Sequence, residues 1–140
     1  MFIQYGVRLI SIVYTLFGIL GFLPIHFLNP MHHEGIGTRY LFNLVAINTV
    51  HNLIHLAVGI AGLFAARTLS NARLWGKVCG SVLLLVFVGG MVQATIEGYP
   101  QDQMFIGLVP LNSPGHILHL VTGSIALYLG LVPLQRQEHS

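Results

Sequence analysis

Charge is what this sequence has least of. Only 7% of its 140 residues are Asp, Glu, Lys or Arg, where a soluble domain carries about a quarter. That is too little to cover a water-facing surface, which excludes an ordinary soluble fold. Six basic residues against four acidic ones leave a net charge of +2. So small and scattered an excess excludes the clustered basic face that nucleic-acid binding requires. Cysteine occurs once, as Cys79 inside an apolar run. A single cysteine excludes an internal disulfide and a thiolate metal cage, and Cys79 reads as a small buried apolar residue. A cleavable leader is not expected either. The only basic residue among the first 23 is Arg8, and no small-residue cleavage site precedes Pro24.

What is present is hydrophobic: 54% of the residues, with a mean hydropathy of +0.76. A membrane span needs about 20 mostly apolar residues. Four segments qualify, at about 5–24, 49–67, 75–96 and 115–134, and none contains Asp or Glu. In lipid every backbone polar group must find an internal partner, so these segments are expected to be helices. The expected fold class is all-α integral membrane, a single transmembrane domain over 1–140. Arg8, Arg67, Arg73, Lys77 and Arg136 fall on one side of such a topology and only Arg39 on the other. That bias predicts both termini in the cytoplasm and a multi-pass protein of the inner or plasma membrane. The longer connections, about 25–48 and 97–114, then face outward with Glu34, Glu97 and Asp102. Trp75 and Tyr99 suit interfacial anchoring. The apolar stretches YLFNLVAI (40–47) and MFIGLVPL (104–111) are too short to span and are expected along the outer interface.

The second half repeats part of the first at an offset of 64 residues. LVAINTVHNLIHLAVGIAGL (44–63) aligns without a gap with LVPLNSPGHILHLVTGSIAL (108–127), with seven identities in twenty, among them Asn48/Asn112, His55/His119 and Gly59/Gly123. Two helical hairpins are expected, about 1–68 and 72–136, as a parallel repeat about an axis along the membrane normal. Asn48 or Thr49, and Asn112 or Ser113, are the expected helix caps, with Pro114 suited to the first helical position.

Histidine is abundant, with eight in the chain. His139 is in the tail, and His26, His32 and His33 are in the first outer connection. His51 and His55 are spaced i,i+4 and His116 and His119 i,i+3, so each pair shares a helix face. Glycine and alanine continue both faces: Gly59, Gly62 and Ala66 in one helix, Gly123, Ala126 and Gly130 in the other. Small residues allow close helix approach, so the second and fourth helices are expected to pack together, with four histidines at the outer end of the seam. His55 and His119 then lie about 9–10 Å into their helices.

An ionisable group within a span is a functional candidate, and several chemistries remain open. His55 and His119 suit the two axial ligands of a haem, or one ligand of a chlorophyll-type pigment, with Asn48 and Asn112 nearby. His51, His55, His116 and His119 suit a transition-metal ion, with His32 and His33 as further donors. Alternatively the histidines bond one another or Asn48, Asn52 and Asn112 as interhelical polar glue. The H-x3-H, H-x2-H and HH spacings also resemble the histidine boxes of membrane oxidases and hydroxylases, which are much larger proteins.

At NTVHNLIHLAVGIAGL (48–63) and LNSPGHILHLVTG (111–123) the chain resembles a bacterial family of small four-helix membrane proteins, domain of unknown function 4383. The resemblance rests on Asn48, His51, Asn52, His55 and Leu56, and on Asn112, His119 and Leu120. Where members often carry an acidic residue or Asn before the fourth-helix motif, this chain has Pro114-Gly115-His116. The resemblance implies a four-helix membrane fold and no particular activity. A non-enzymatic accessory subunit is the expected role. Its expected partners are the lipid bilayer and either other membrane-complex subunits or further copies of the chain.

Overall fold

The computed structural model describes residues 1–23, 29–30, 37–97 and 103–133. His26, His32, His33, Glu34, Tyr99, Asp102, Arg136 and His139 lie outside the described residues. The described chain is helical, with helices α1 (Phe2–Leu20), α2 (Thr49–Ala65), α3 (Leu69–Glu97) and α4 (Ser113–Leu131). Short strands precede α2 and α4: β1 (Asn29–Pro30), β2 (Arg39–Leu41) and β3 (Val45–Ile47) before the one, β4 (Gln103–Phe105) and β5 (Val109–Leu111) before the other. Helices α1, α3 and α4 are long and apolar enough to cross a membrane. Helix α2 is equally apolar but has 17 residues, about 25 Å of helix. The outward faces carry exposed Leu9, Leu53, Leu85 and Ile117, an apolar exterior that water would not tolerate over so large an area.

The helix limits differ from the sequence expectation in an informative way. Helix α3 begins at Leu69, several residues before Trp75, because Thr68 caps it: its hydroxyl accepts from the Asn71 N–H at 3.3 Å. Arg73, expected in a connection, is therefore helical, and its guanidinium donates to the Val132 carbonyl at the end of α4. Helix α4 stops at Leu131 because Pro133 pushes Val132 into an extended conformation, φ −50° and ψ 130°. Trp75 ties α3 to α2. Its Nε1–H donates to the Val58 carbonyl of α2 at 3.3 Å.

The helices pack as α1 against α2 and α3 against α4. This corrects the expected seam between α2 and α4, which make no extensive contact. Gly59 instead faces α1, and Gly123 and Gly130 face α3. A Cβ on Gly59 would meet the Ser11 carbonyl of α1 at 2.8 Å, and one on Gly80 of α3 would meet the Gly123 carbonyl of α4 at 2.8 Å. The apolar core joins Val7, Ile10 and Tyr14 of α1 to Ala72, Cys79 and Leu83 of α3 and Ala126 and Leu129 of α4.

The segments 40–47 and 104–111 are largely β-hairpins. β2 pairs with β3 and β4 with β5, both antiparallel. Each turn has two consecutive left-handed residues, Phe42 and Asn43 (φ 56° each) and Ile106 and Gly107 (φ 47° and 71°). Asn and Gly are the residues best able to adopt that conformation. Short apolar runs carry no period that separates strand from helix, which is why the turns were the available signal.

Candidate functional site

Helices α2 and α4 begin at matching caps. The Asn48 Oδ1 accepts from the His51 N–H at 2.8 Å, and the Asn112 Oδ1 accepts from the Gly115 N–H at 3.1 Å. The Asn48 Nδ2 donates to the Leu108 carbonyl and the Asn112 Nδ2 to the Leu44 carbonyl, each at 2.8 Å. Asn112 Oδ1 also accepts from the Ala46 N–H at 3.3 Å. The residue aligned with Ala46 is Pro110, which has no N–H to return that bond. Both amides are thus engaged within the protein. They join the two β-hairpins over the N-terminal ends of α2 and α4 and fix where those helices start.

Three histidines converge beneath this cap. One ring nitrogen from each of His51, His55 and His119 lies within 4.8 Å of the others. The His51 ring meets His55 at 4.3 Å and His119 at 6.0 Å between centroids. All three are buried, at 3%, 7% and 6% exposure. His116 points elsewhere: its ring stands edge-on to Phe87 of α3 at 6.2 Å, in the space that a side chain on Gly90 would need. The reason is angular. Two residues three apart on a helix differ by about 60° around its axis, enough for one to face α3 and the other the centre.

The Nδ1 atoms of His51, His55, His116 and His119, and the Asn52 Oδ1, are buried with no hydrogen-bond partner. Most buried polar atoms are paired, and an unpaired one costs about 1–3 kcal/mol. The bonds across the hairpins are made by the asparagines, while these imidazole nitrogens remain unused.

Tyr14 closes the site from α1. Its ring stands edge-on to His55 at 5.0 Å, and Phe17 does so at 6.3 Å. The Tyr14 hydroxyl lies 2.8 Å from Thr122 Oγ1, which itself donates to the Leu118 carbonyl at 2.6 Å. Thr122 has one hydroxyl proton, so Tyr14 is the donor of the pair. Beside the trio, between α1 and α4, is a cavity of about 30 Å³ lined by Val13, Phe17, Val45, Leu118 and Gly115. On the other side an apolar cleft of about 560 Å³ runs between α2 and α3 and reaches the same three histidines. Sequence reasoning did not single out Tyr14, Thr122 or Gly115. The available signals were the few hydroxyls inside apolar helices and the alignment of Gly115 with His51.

Three helices long and apolar enough to cross a membrane, around a buried imidazole cluster with no carboxylate beside it among the described residues, define a small membrane-type protein with a buried polar centre. It belongs to the domain of unknown function 4383 family, which matches it over residues 4–132. No curated protein and no solved structure matches the chain.

Proposed function

We propose that this is a four-span membrane protein whose His51, His55 and His119 bind one transition-metal ion near the outer ends of α2 and α4. The observation that carries the reading is the convergence of three buried ring nitrogens in a site where each ring retains an unpartnered Nδ1. Neutral imidazole is a ligand of zinc, copper, iron and nickel. Metal–nitrogen bonds of about 2.0–2.1 Å put bound nitrogens about 3.4 Å apart. The present spacing, within 4.8 Å, exceeds that value by at most about 1.4 Å. A haem or chlorophyll-type ligand between His55 and His119 is less well supported, because the His51 ring meets both and would have to leave.

The four-span topology rests on α2 lying along α1 and on the positive bias that puts both termini in the cytoplasm. The two-hairpin repeat is supported by the 64-residue alignment, the matched caps and the matched left-handed turns. A metal-holding subunit of the inner or plasma membrane fits these features without requiring catalysis.

The test is metal analysis and an absorption spectrum of the protein purified in mild detergent. One transition-metal ion per chain, absent from His55→Ala and His119→Ala, is expected. A haem or chlorophyll band, or folded protein that takes up no metal on reconstitution, would overturn the reading.

A further inference from the structure

We infer that the trio is built for a monovalent soft cation: it takes Cu(I) in preference to Zn(II), in three-coordinate form, with a fourth corner open beside Gly115. The inference rests on the trio being a metal site at all and adds which ion it selects and why.

Charge decides the first half. Three imidazoles bring no negative charge, so a divalent ion keeps both its charges and a monovalent ion keeps one. The cost of burying an ion grows with the square of its charge, so the divalent ion pays about four times the penalty. Closed divalent sites often offset this with thiolate or carboxylate ligands. Among the described residues the only acidic side chain is Glu97, which is exposed at the end of α3 and bonded to Gln93. Cys79 lines the α2–α3 cleft but is outside the converging group. The Tyr14 proton is committed to Thr122, so no phenolate is supplied. Apart from the trio, Tyr14, Thr122, Gly115 and Cys79, the walls of both cavities are aliphatic and aromatic.

Geometry decides the second half. Zinc held by three histidines takes a fourth donor, a side chain in structural sites and a water in catalytic ones. The alignment that pairs His55 with His119 pairs His51 with Gly115, so among the described residues the repeat supplies three converging histidines and not four. Gly115 lines the cavity on the α1–α4 side. A Cβ there would find only Asn112 Oδ1 at 3.3 Å and Leu111 Cδ2 at 4.0 Å, so a Cβ fits with a small shift. Zinc would have to draw water or hydroxide into an apolar cavity of about 30 Å³.

The experiment uses the full chain in phospholipid nanodiscs, stripped of metal. Cu(I) is titrated anaerobically against a chromophoric Cu(I) chelator, and Zn(II) against a chromophoric zinc chelator. One Cu(I) per chain is expected, bound about 100-fold or more tightly than Zn(II). Gly115→Asp adds a carboxylate at the open corner and is expected to raise Zn(II) affinity about 10–100-fold, removing most of the preference. Zn(II) binding to the unaltered chain as tightly as Cu(I), with or without release of a proton from bound water, overturns the selectivity and leaves the metal reading standing. Failure of both ions to bind overturns both. If Gly115→Asp does not fold, as judged by its helical circular dichroism, the competition on the unaltered chain decides alone.

Discussion

Asn48 and Asn112 exchange hydrogen bonds across the two halves of the protein, Asn48 to the Leu108 carbonyl and Asn112 to the Leu44 carbonyl, each at 2.8 Å. Each also caps the helix that follows it. One pair of side chains therefore sets the start of α2, the start of α4 and the contact between the hairpins.

Removing either amide is expected to destabilise the protein by about 2–4 kcal/mol, from a lost cap of about 1 kcal/mol and a stranded carbonyl of about 1–3 kcal/mol. Asn112→Ala is expected to cost more than Asn48→Ala, because Asn112 also holds the Ala46 N–H. Unfolding in mixed micelles with increasing denaturing detergent measures the difference. Equal losses would show that the Ala46 bond contributes nothing.

Loss of metal is expected to distinguish the four histidines near the helix starts. His51→Ala, His55→Ala and His119→Ala each lower metal affinity by about 100-fold or more, beyond the effect of losing an outer partner. His116→Ala, whose ring faces Phe87, retains metal. Competitive chelator titrations read all four, and a metal-free His116→Ala protein that is folded would place the site elsewhere.

Tyr14→Phe keeps the ring against His55 and removes the hydroxyl bonded to Thr122. A loss of about 1 kcal/mol with metal retained is expected. Tyr14→Ala leaves a cavity beside the trio and is expected to cost about 3 kcal/mol or more. The same unfolding assay, with metal content measured in parallel, checks both. Loss of metal from Tyr14→Phe would make the hydroxyl a participant in the site.

Gly80→Val forces α3 and α4 apart, since even a Cβ would sit 2.8 Å from the Gly123 carbonyl. A cost of about 1–3 kcal/mol is expected. Gly89→Ala meets only the Phe105 ring, at 3.1 Å and 3.2 Å. That ring can shift, and alanine favours helix by about 1 kcal/mol. A neutral or stabilising Gly89→Ala beside a destabilised Gly80→Val is the expected pattern. Comparable losses at both positions would mean that the backbone contact at Gly80 has no special weight.

The sequence by itself determined the helical, membrane-type character, because absence of charge and long apolar runs need no tertiary information. It also located the caps of α2 and α4 to within a residue, and the family through the Asn48 and Asn112 motifs. It placed His51, His55 and His119 on helix faces, because helical spacing is a local property. What only the tertiary structure decided was which faces meet. Glycine at Gly59 and Gly123 marks close approach, but a stripe of small residues does not name its partner: Gly59 packs on α1 and Gly123 on α3, while Gly62 meets both α1 and Trp75 of α3. The hairpins were ambiguous because short apolar runs suit either strand or helix until long-range pairing is made. The division between His119, which joins the trio, and His116, which turns to Phe87, depends on the rotation of α4 against α3. No local spacing fixes that rotation, because it is set by the packing of the whole bundle.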